Sequence, residues 1–170
     1  MKRIALLLEN FVEEVEFIYP LYRFKEEKFN ITVLSPKVGE FKGKNGLTFF
    51  SNQQIEPNRA KEFDAVFIPG GYAPDRFRRD KETVDFIRNM YKENKIIGAI
   101  CHAPWVLISA GIIKGKKITG FFSIKDDIKN AGAIYTGNPV EIDGNIITGT
   151  DPKAMPEMVK VFIKKLNGEL

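Results

Sequence analysis

The sequence holds one cysteine and one histidine, and they are neighbours: Ile100-Cys101-His102-Ala103. Histidine is the natural base for a thiol, so the pair is a candidate nucleophile with its proton acceptor. Consecutive side chains diverge on a regular strand or helix, so the two meet only where the backbone bends sharply. An apolar run at residues 96–100 precedes the cysteine, and a short helical segment follows it as far as Gly111. A strand-turn-helix elbow of this kind exposes a nucleophile and sets its sulfur at a helix N-terminus. There the helix dipole and free N–H groups favour the thiolate, below the ordinary pKa of about 8.5. A small buried structural thiol is the alternative that the cysteine alone leaves open.

Two further features belong to the same chemistry. Pro69-Gly70-Gly71 ends another apolar run, residues 65–68. A turn without side chains lets backbone N–H groups approach a ligand, as an oxyanion site requires; a plain tight turn is the other reading. Glu16 falls on the same helical face as Val12, Val15, Tyr19 and Tyr22. A carboxyl packed against apolar groups has a raised pKa and keeps its proton, ready to donate to a thiolate. At the edge of the stripe it would instead reach water. Glu13 and Glu14 read as solvated acids of the first helical turn.

The elements that must position these residues follow from apolar runs alternating with segments of helical period. That alternation predicts an α/β fold, doubly wound and flavodoxin-like, with a mostly parallel sheet covered by helices on both faces. Strands are expected at residues 4–8, 31–34, 65–68, 96–100 and 118–121, with hairpins around Gly43-Lys44-Asn45-Gly46 and Asp143-Gly144. Helices are expected at 13–28, at 81–94 behind an Asp80 cap, at 124–130, and from Pro152 to about residue 167. No linker or repeat interrupts the chain, so one domain over residues 1–170 is expected. In such sheets ligands bind beyond the carboxyl ends of the strands. Segments 9–12, 69–72 and 101–104 should converge there.

Composition narrows the function classes. The net charge of +4 is spread out, and the clusters Arg76-Phe77-Arg78-Arg79 and Lys114-Gly115-Lys116-Lys117 lack a continuous basic stripe, which argues against a nucleic-acid partner. A lone cysteine forms no intrachain disulfide and suits a reducing compartment. The apolar run at 4–8 is too short for a membrane span or a signal-peptide core, so the expected location is the cytoplasm, without a membrane partner.

Taken together, the sequence resembles the PfpI-like intracellular cysteine peptidases of the DJ-one/PfpI superfamily, which also contains deglycases and glyoxalases. The resemblance is carried by Glu13-Glu14-Val15-Glu16 before Tyr19-Pro20, Pro69-Gly70-Gly71-Tyr72-Ala73-Pro74-Asp75, Ala99-Ile100-Cys101-His102-Ala103-Pro104, and Ile124-Lys125-Asp126-Asp127. It implies a fold like the class I glutamine amidotransferases, Cys101 as nucleophile, and Glu16 as the carboxyl in contact with it. The oxyanion site would be backbone N–H groups of Gly70, Gly71 and His102. An acid of a neighbouring subunit would orient His102; the matching position is Asp75, where the family commonly has glutamate. The site would then exist only in a homo-oligomer, a dimer or hexamer, with no cofactor and no metal. Three departures stand out: Ala103 in place of glycine, Thr150 near a usual arginine, and Phe121 in place of tyrosine.

Two functions follow as expectations. Cys101 attacks a carbonyl, either of a peptide bond or of a small-molecule aldehyde such as methylglyoxal. Alternatively the chain is a non-enzymatic stress-response chaperone or redox sensor that uses oxidation of Cys101. A glutamine amidotransferase is excluded, because its histidine comes from a separate segment and this chain has no second one.

Overall fold

The computed structural model describes residues 1–170. In chain order its main elements are β1 (Arg3–Leu7), α1 (Glu14–Glu26), β2 (Asn30–Leu34), β3 (Gly39–Lys42), β4 (Thr48–Ser51), β5 (Ala65–Ile68), α2 (Ala73–Arg79), α3 (Lys81–Lys92) and β6 (Ile96–Ile100). They continue as α4 (Pro104–Ala110), β7 (Lys117–Ile118), α5 (Lys125–Asn130), β8 (Ile134–Tyr135), β9 (Val140–Asp143), β10 (Ile146–Gly149) and α6 (Met155–Asn167). Six strands form one sheet in the order β2-β1-β5-β6-β10-β9, parallel except for the β9–β10 hairpin at the edge. The order reverses between β1 and β5, the switch point at which flavodoxin-like sheets bind ligands.

The central strands are apolar on both faces because both faces are covered. Every residue of β5 is fully buried. On one face α1 and α6 pack together, and Phe24, Phe67 and Phe162 meet there with ring centroids 5.2–5.8 Å apart. Gly98 of β6 makes room for that cluster, since a Cβ on it would lie 2.8 Å from Phe67 and 2.9 Å from Phe162. The opposite face carries α3 and α4. Asp80 accepts from Thr83 N–H at 2.8 Å and caps α3, while Gly168, with φ of 77°, closes α6.

Three local expectations are revised. Residues 73–79 form α2, which begins immediately after the Gly70-Gly71 turn. The strand expected at 118–121 shortens to β7, and it pairs with β8 outside the main sheet. The buried face of α1 is not the stripe read from the sequence: Val15 and Tyr22 are 43% and 59% exposed, whereas Glu14, Glu16, Phe17, Pro20 and Phe24 are buried.

Candidate active site

Cys101 sits between β6 and α4 with φ of 62°, a left-handed backbone that non-glycine residues rarely adopt. Its main chain is stapled on both sides. The N–H donates to the Gly149 carbonyl at 3.0 Å, and the carbonyl accepts the Phe121 N–H at 2.8 Å. Ala103, fully buried, closes the bend by donating its N–H to Ile100 O at 2.9 Å. The bend is what makes two consecutive side chains meet: Cys101 Sγ lies 3.2 Å from His102 Nδ1.

The loops after β1 and β5 are laced together by main-chain bonds. Val12 bridges Gly71, Tyr72 N–H donates to Phe11 O at 2.8 Å, and Glu13 N–H donates to Gly70 O at 3.2 Å. Gly71 has φ of 76°, and a Cβ there would lie 2.4 Å from the backbone of Phe11 and of Glu13. Its N–H and that of His102 both reach the Cys101 sulfur. Gly70 has a different task from the one expected of it. Its N–H donates to Glu16 Oε2 at 2.7 Å, which takes it out of any oxyanion site. A Cβ on Gly70 would lie 2.5 Å from Glu16 Oε2 and 2.6 Å from Cys101 Cβ, so only glycine lets carboxyl and cysteine flank the same point.

Glu16 is fully buried, and its Oε1 has no hydrogen-bond partner. Burial raises its pKa to about 8, with the charges of Glu13 and Asp151 adding and the Gly70 N–H and Lys44 opposing. The carboxyl therefore carries its proton at neutral pH. Burial likewise pushes the Cys101 thiol up to about 12, helped by the Glu16 charge and opposed by the Gly71 and His102 N–H groups and by Lys44. The direction is opposite to the one expected from the sequence, because loss of hydration outweighs the neighbouring dipoles. The Glu16 contribution vanishes when that carboxyl is protonated, so the two groups titrate as a pair.

Burial, and then the Lys44 charge, lower the His102 pKa below its ordinary value. Its ring stacks on Phe121 at 5.1 Å and 26°, meets the edge of Trp105 at 5.1 Å, and places Nε2 3.2 Å from Ser123 Oγ. Asp75 stands in the first turn of α2, half-exposed and paired with Arg79 at 2.9 Å, and within one chain it does not meet His102. Thr150 bonds through its N–H to Pro139 O at 3.0 Å, while Asp151 caps the next turn.

Lys44 was not singled out by the sequence reading, although two glycines flank it in the β3–β4 turn. Its ammonium lies 2.9 Å from Glu13 Oε2 and 5.7 Å over the Tyr72 ring. Glu14 holds that turn in place. Its buried carboxylate accepts Asn45 N–H and Nδ2–H, both at 2.6 Å, and Gly43 packs against it. Ser123 had no sequence signal at all, since a single serine outside a motif is uninformative. Glu16, Lys44, Tyr72, Cys101, His102 and Phe121 are among the residues around a cleft of about 260 Å³. No three His, Cys, Asp or Glu side chains gather into a metal-binding cluster, and no helix is long and apolar enough to cross a membrane.

Comparison with known proteins gives consistent matches along the chain. The model of the DJ-1/PfpI family matches residues 2–165. The Pyrococcus furiosus protein named deglycase PfpI is 37% identical over 164 residues, covering 96% of this chain and 99% of that one. A Bacillus subtilis protein named as a candidate cysteine protease, YraA, is 36% identical over 152 residues, covering 89% and 90%. Among solved structures, a two-domain protein of Anabaena variabilis with DJ-1/ThiJ/PfpI-like and ferritin-like domains matches with a TM-score of 0.96 at 38% identity. That match spans 98% of this chain and 48% of the two-domain protein.

Proposed function

The chain belongs to the DJ-1/PfpI family, and on that premise we propose that it is a cofactor-free, cysteine-dependent enzyme of glyoxalase and deglycase type, acting on methylglyoxal-like carbonyls. The names of its relatives support an enzyme of deglycase or protease type. The observation that carries the narrower reading is the fully buried Glu16, its Oε1 without a partner, beside a thiol at an elbow, opening on a cleft of about 260 Å³. Pockets for drug-sized ligands run to about 300–1,000 Å³. This one suits a three-carbon aldehyde better than an extended peptide.

The resting site holds a thiol, a neutral imidazole and a carboxylic acid. As Sγ bonds to the aldehyde carbon, the thiol proton passes to His102 Nδ1. The aldehyde oxygen, facing the N–H groups of Gly71 and His102, takes the Glu16 proton and gives a hemithioacetal. Glu16, now a carboxylate in a dry site, removes the proton on C1. The resulting enediolate takes a proton at C2 from the His102 imidazolium, and its C1 hydroxyl proton moves to O2. The product is a lactoyl thioester, which water cleaves to lactate and free thiol. Methylglyoxal and water become lactic acid, with every protein group restored. With a carbinolamine adduct of methylglyoxal as substrate, Sγ bonds to C1 as the C–N bond breaks, the thiol proton passes to His102, the amine leaves with the Glu16 proton, and the same hemithioacetal forms.

Lactate formation followed by proton NMR tests this. Cys101→Ala should abolish turnover, and Glu16→Gln should lower kcat by about 10²–10⁴-fold. Lactate production by Cys101→Ala at the wild-type rate overturns the proposal, as does faster cleavage of a peptide amide than of methylglyoxal.

A further inference from the structure

The expected orienter of His102, Asp75 of a neighbouring copy, is one methylene shorter than the glutamate common in the family, and here it is paired with Arg79 at 2.9 Å. Meanwhile both ring nitrogens of His102 already have partners within the chain: Cys101 Sγ on Nδ1 and Ser123 Oγ on Nε2, each at 3.2 Å. Ser123 is exposed, but its backbone is anchored on both sides. It lies in the 3-10 turn Phe122–Ile124, bracketed by Phe121, whose N–H is tied to the Cys101 carbonyl at 2.8 Å, and by Ile124, which is 1% exposed. The segment that carries the hydroxyl is therefore bonded to the elbow that carries the nucleophile.

We infer that Ser123 is the positioning residue of His102, supplying within one chain the contact that the family resemblance assigns to Asp75 of a second copy; this rests on the reading of Cys101 as nucleophile. A neutral imidazole has one donor and one acceptor nitrogen. For Nδ1 to accept the thiol proton, the ring hydrogen must sit on Nε2, where Ser123 Oγ accepts it. When the ring becomes an imidazolium, Nε2–H keeps the same acceptor. When Nδ1 carries the hydrogen instead, the hydroxyl turns and donates to Nε2. A carboxylate at that position would stabilise the imidazolium and hold a thiolate–imidazolium pair at rest. A hydroxyl adds no charge, so the pair rests neutral and Glu16 supplies the acid. The other charged group acting on the ring is Lys44, while Arg78 and Asp127 reach it only through Trp105, at 5.5 Å over the indole and at 2.8 Å from its N–H.

With one histidine in the chain, selective 15N-histidine labelling gives the signals of this ring alone. The wild-type protein at neutral pH should show the Nε2–H tautomer. Ser123→Ala should move the Nε2 resonance, which loses its hydrogen-bond partner, and lower kcat about five- to tenfold with little change in KM, the scale of one hydrogen bond. Ser123→Thr, which keeps the hydroxyl, should restore both. Asp75→Asn provides the contrast: movement of the Nε2 resonance by this variant and not by Ser123→Ala overturns the inference, as does an unchanged Nε2 resonance in Ser123→Ala. The NMR reading needs no substrate. If methylglyoxal were not turned over, the glyoxalase reading would fall while the Ser123 contact would still be tested.

Discussion

At the scale of residues, the site depends on an acid that the fold keeps protonated. Glu16 has a folded pKa of about 8 against an ordinary 4.5. A raised value means that the folded state binds the proton more tightly, so this stabilisation is full below about 4.5 and is lost as pH rises through about 8. Glu16→Gln removes the titration. Thermal melts across that range should show the wild-type protein losing stability with rising pH, and the variant losing less. Equal slopes would mean that the carboxyl is already ionised at neutral pH. That Glu16 shares a face with buried Val12 was legible in the spacing, while a Glu16 reaching water stayed equally open, because Val15 and Tyr22 on the same stripe are exposed. That its partner would be Gly70 N–H was not legible, because a main-chain donor is invisible in a residue string.

At the scale of elements, the β3–β4 hairpin and the start of α1 form a joint that the sequence concealed. Glu14 read as a surface acid because first-turn glutamates usually are, yet its carboxylate is buried and takes two hydrogen bonds from Asn45. Burial pulls its pKa up, but the N–H groups of Glu14, Asn45 and Leu47 outweigh that and hold it below the ordinary value. A depressed pKa has the opposite sign to that of Glu16: its stabilisation is present above about 4.5 and is lost as pH falls. Glu14→Ala removes both hydrogen bonds to Asn45, whose exposed donors turn to water, an expected loss of about 1–2 kcal/mol in urea unfolding. It should also release Lys44 from the cleft mouth and change KM for methylglyoxal. The hairpin itself was legible from its glycines. The buried face of α1 was misread because Val15 and Tyr22 imitate a core stripe while two glutamates take the inner positions.

At the scale of the whole molecule, the sheet was the most legible part. Strands apolar on both faces, spaced by helical segments, leave few arrangements, and right-handed crossovers leave fewer. The convergence of segments 9–12, 69–72 and 101–104 at one sheet edge follows from that topology. Aromatic packing beneath the sheet was not legible, because nothing in the sequence pairs Phe162 with Gly98. Phe162 is fully buried against Phe24 and Phe67. Phe162→Ala should lower unfolding stability by about 3–5 kcal/mol, read from the urea midpoint, while leaving the alkylation rate of Cys101 in the folded protein unchanged.

The main-chain lacing of the β1 and β5 loops has a consequence for how such a site changes over generations. Its bonds run from Tyr72 N–H to Phe11 O and from Glu13 N–H to Gly70 O, and so, Gly70 and Gly71 apart, do not depend on which side chains stand there. The side chains of Lys44, Tyr72 and Phe121, which line the cleft, project from this lattice without making its main-chain bonds. A lineage can therefore exchange them one at a time and alter what is admitted, while the thiol and its acid keep their places. The reactive apparatus is inherited as a block, and its selectivity is free to drift.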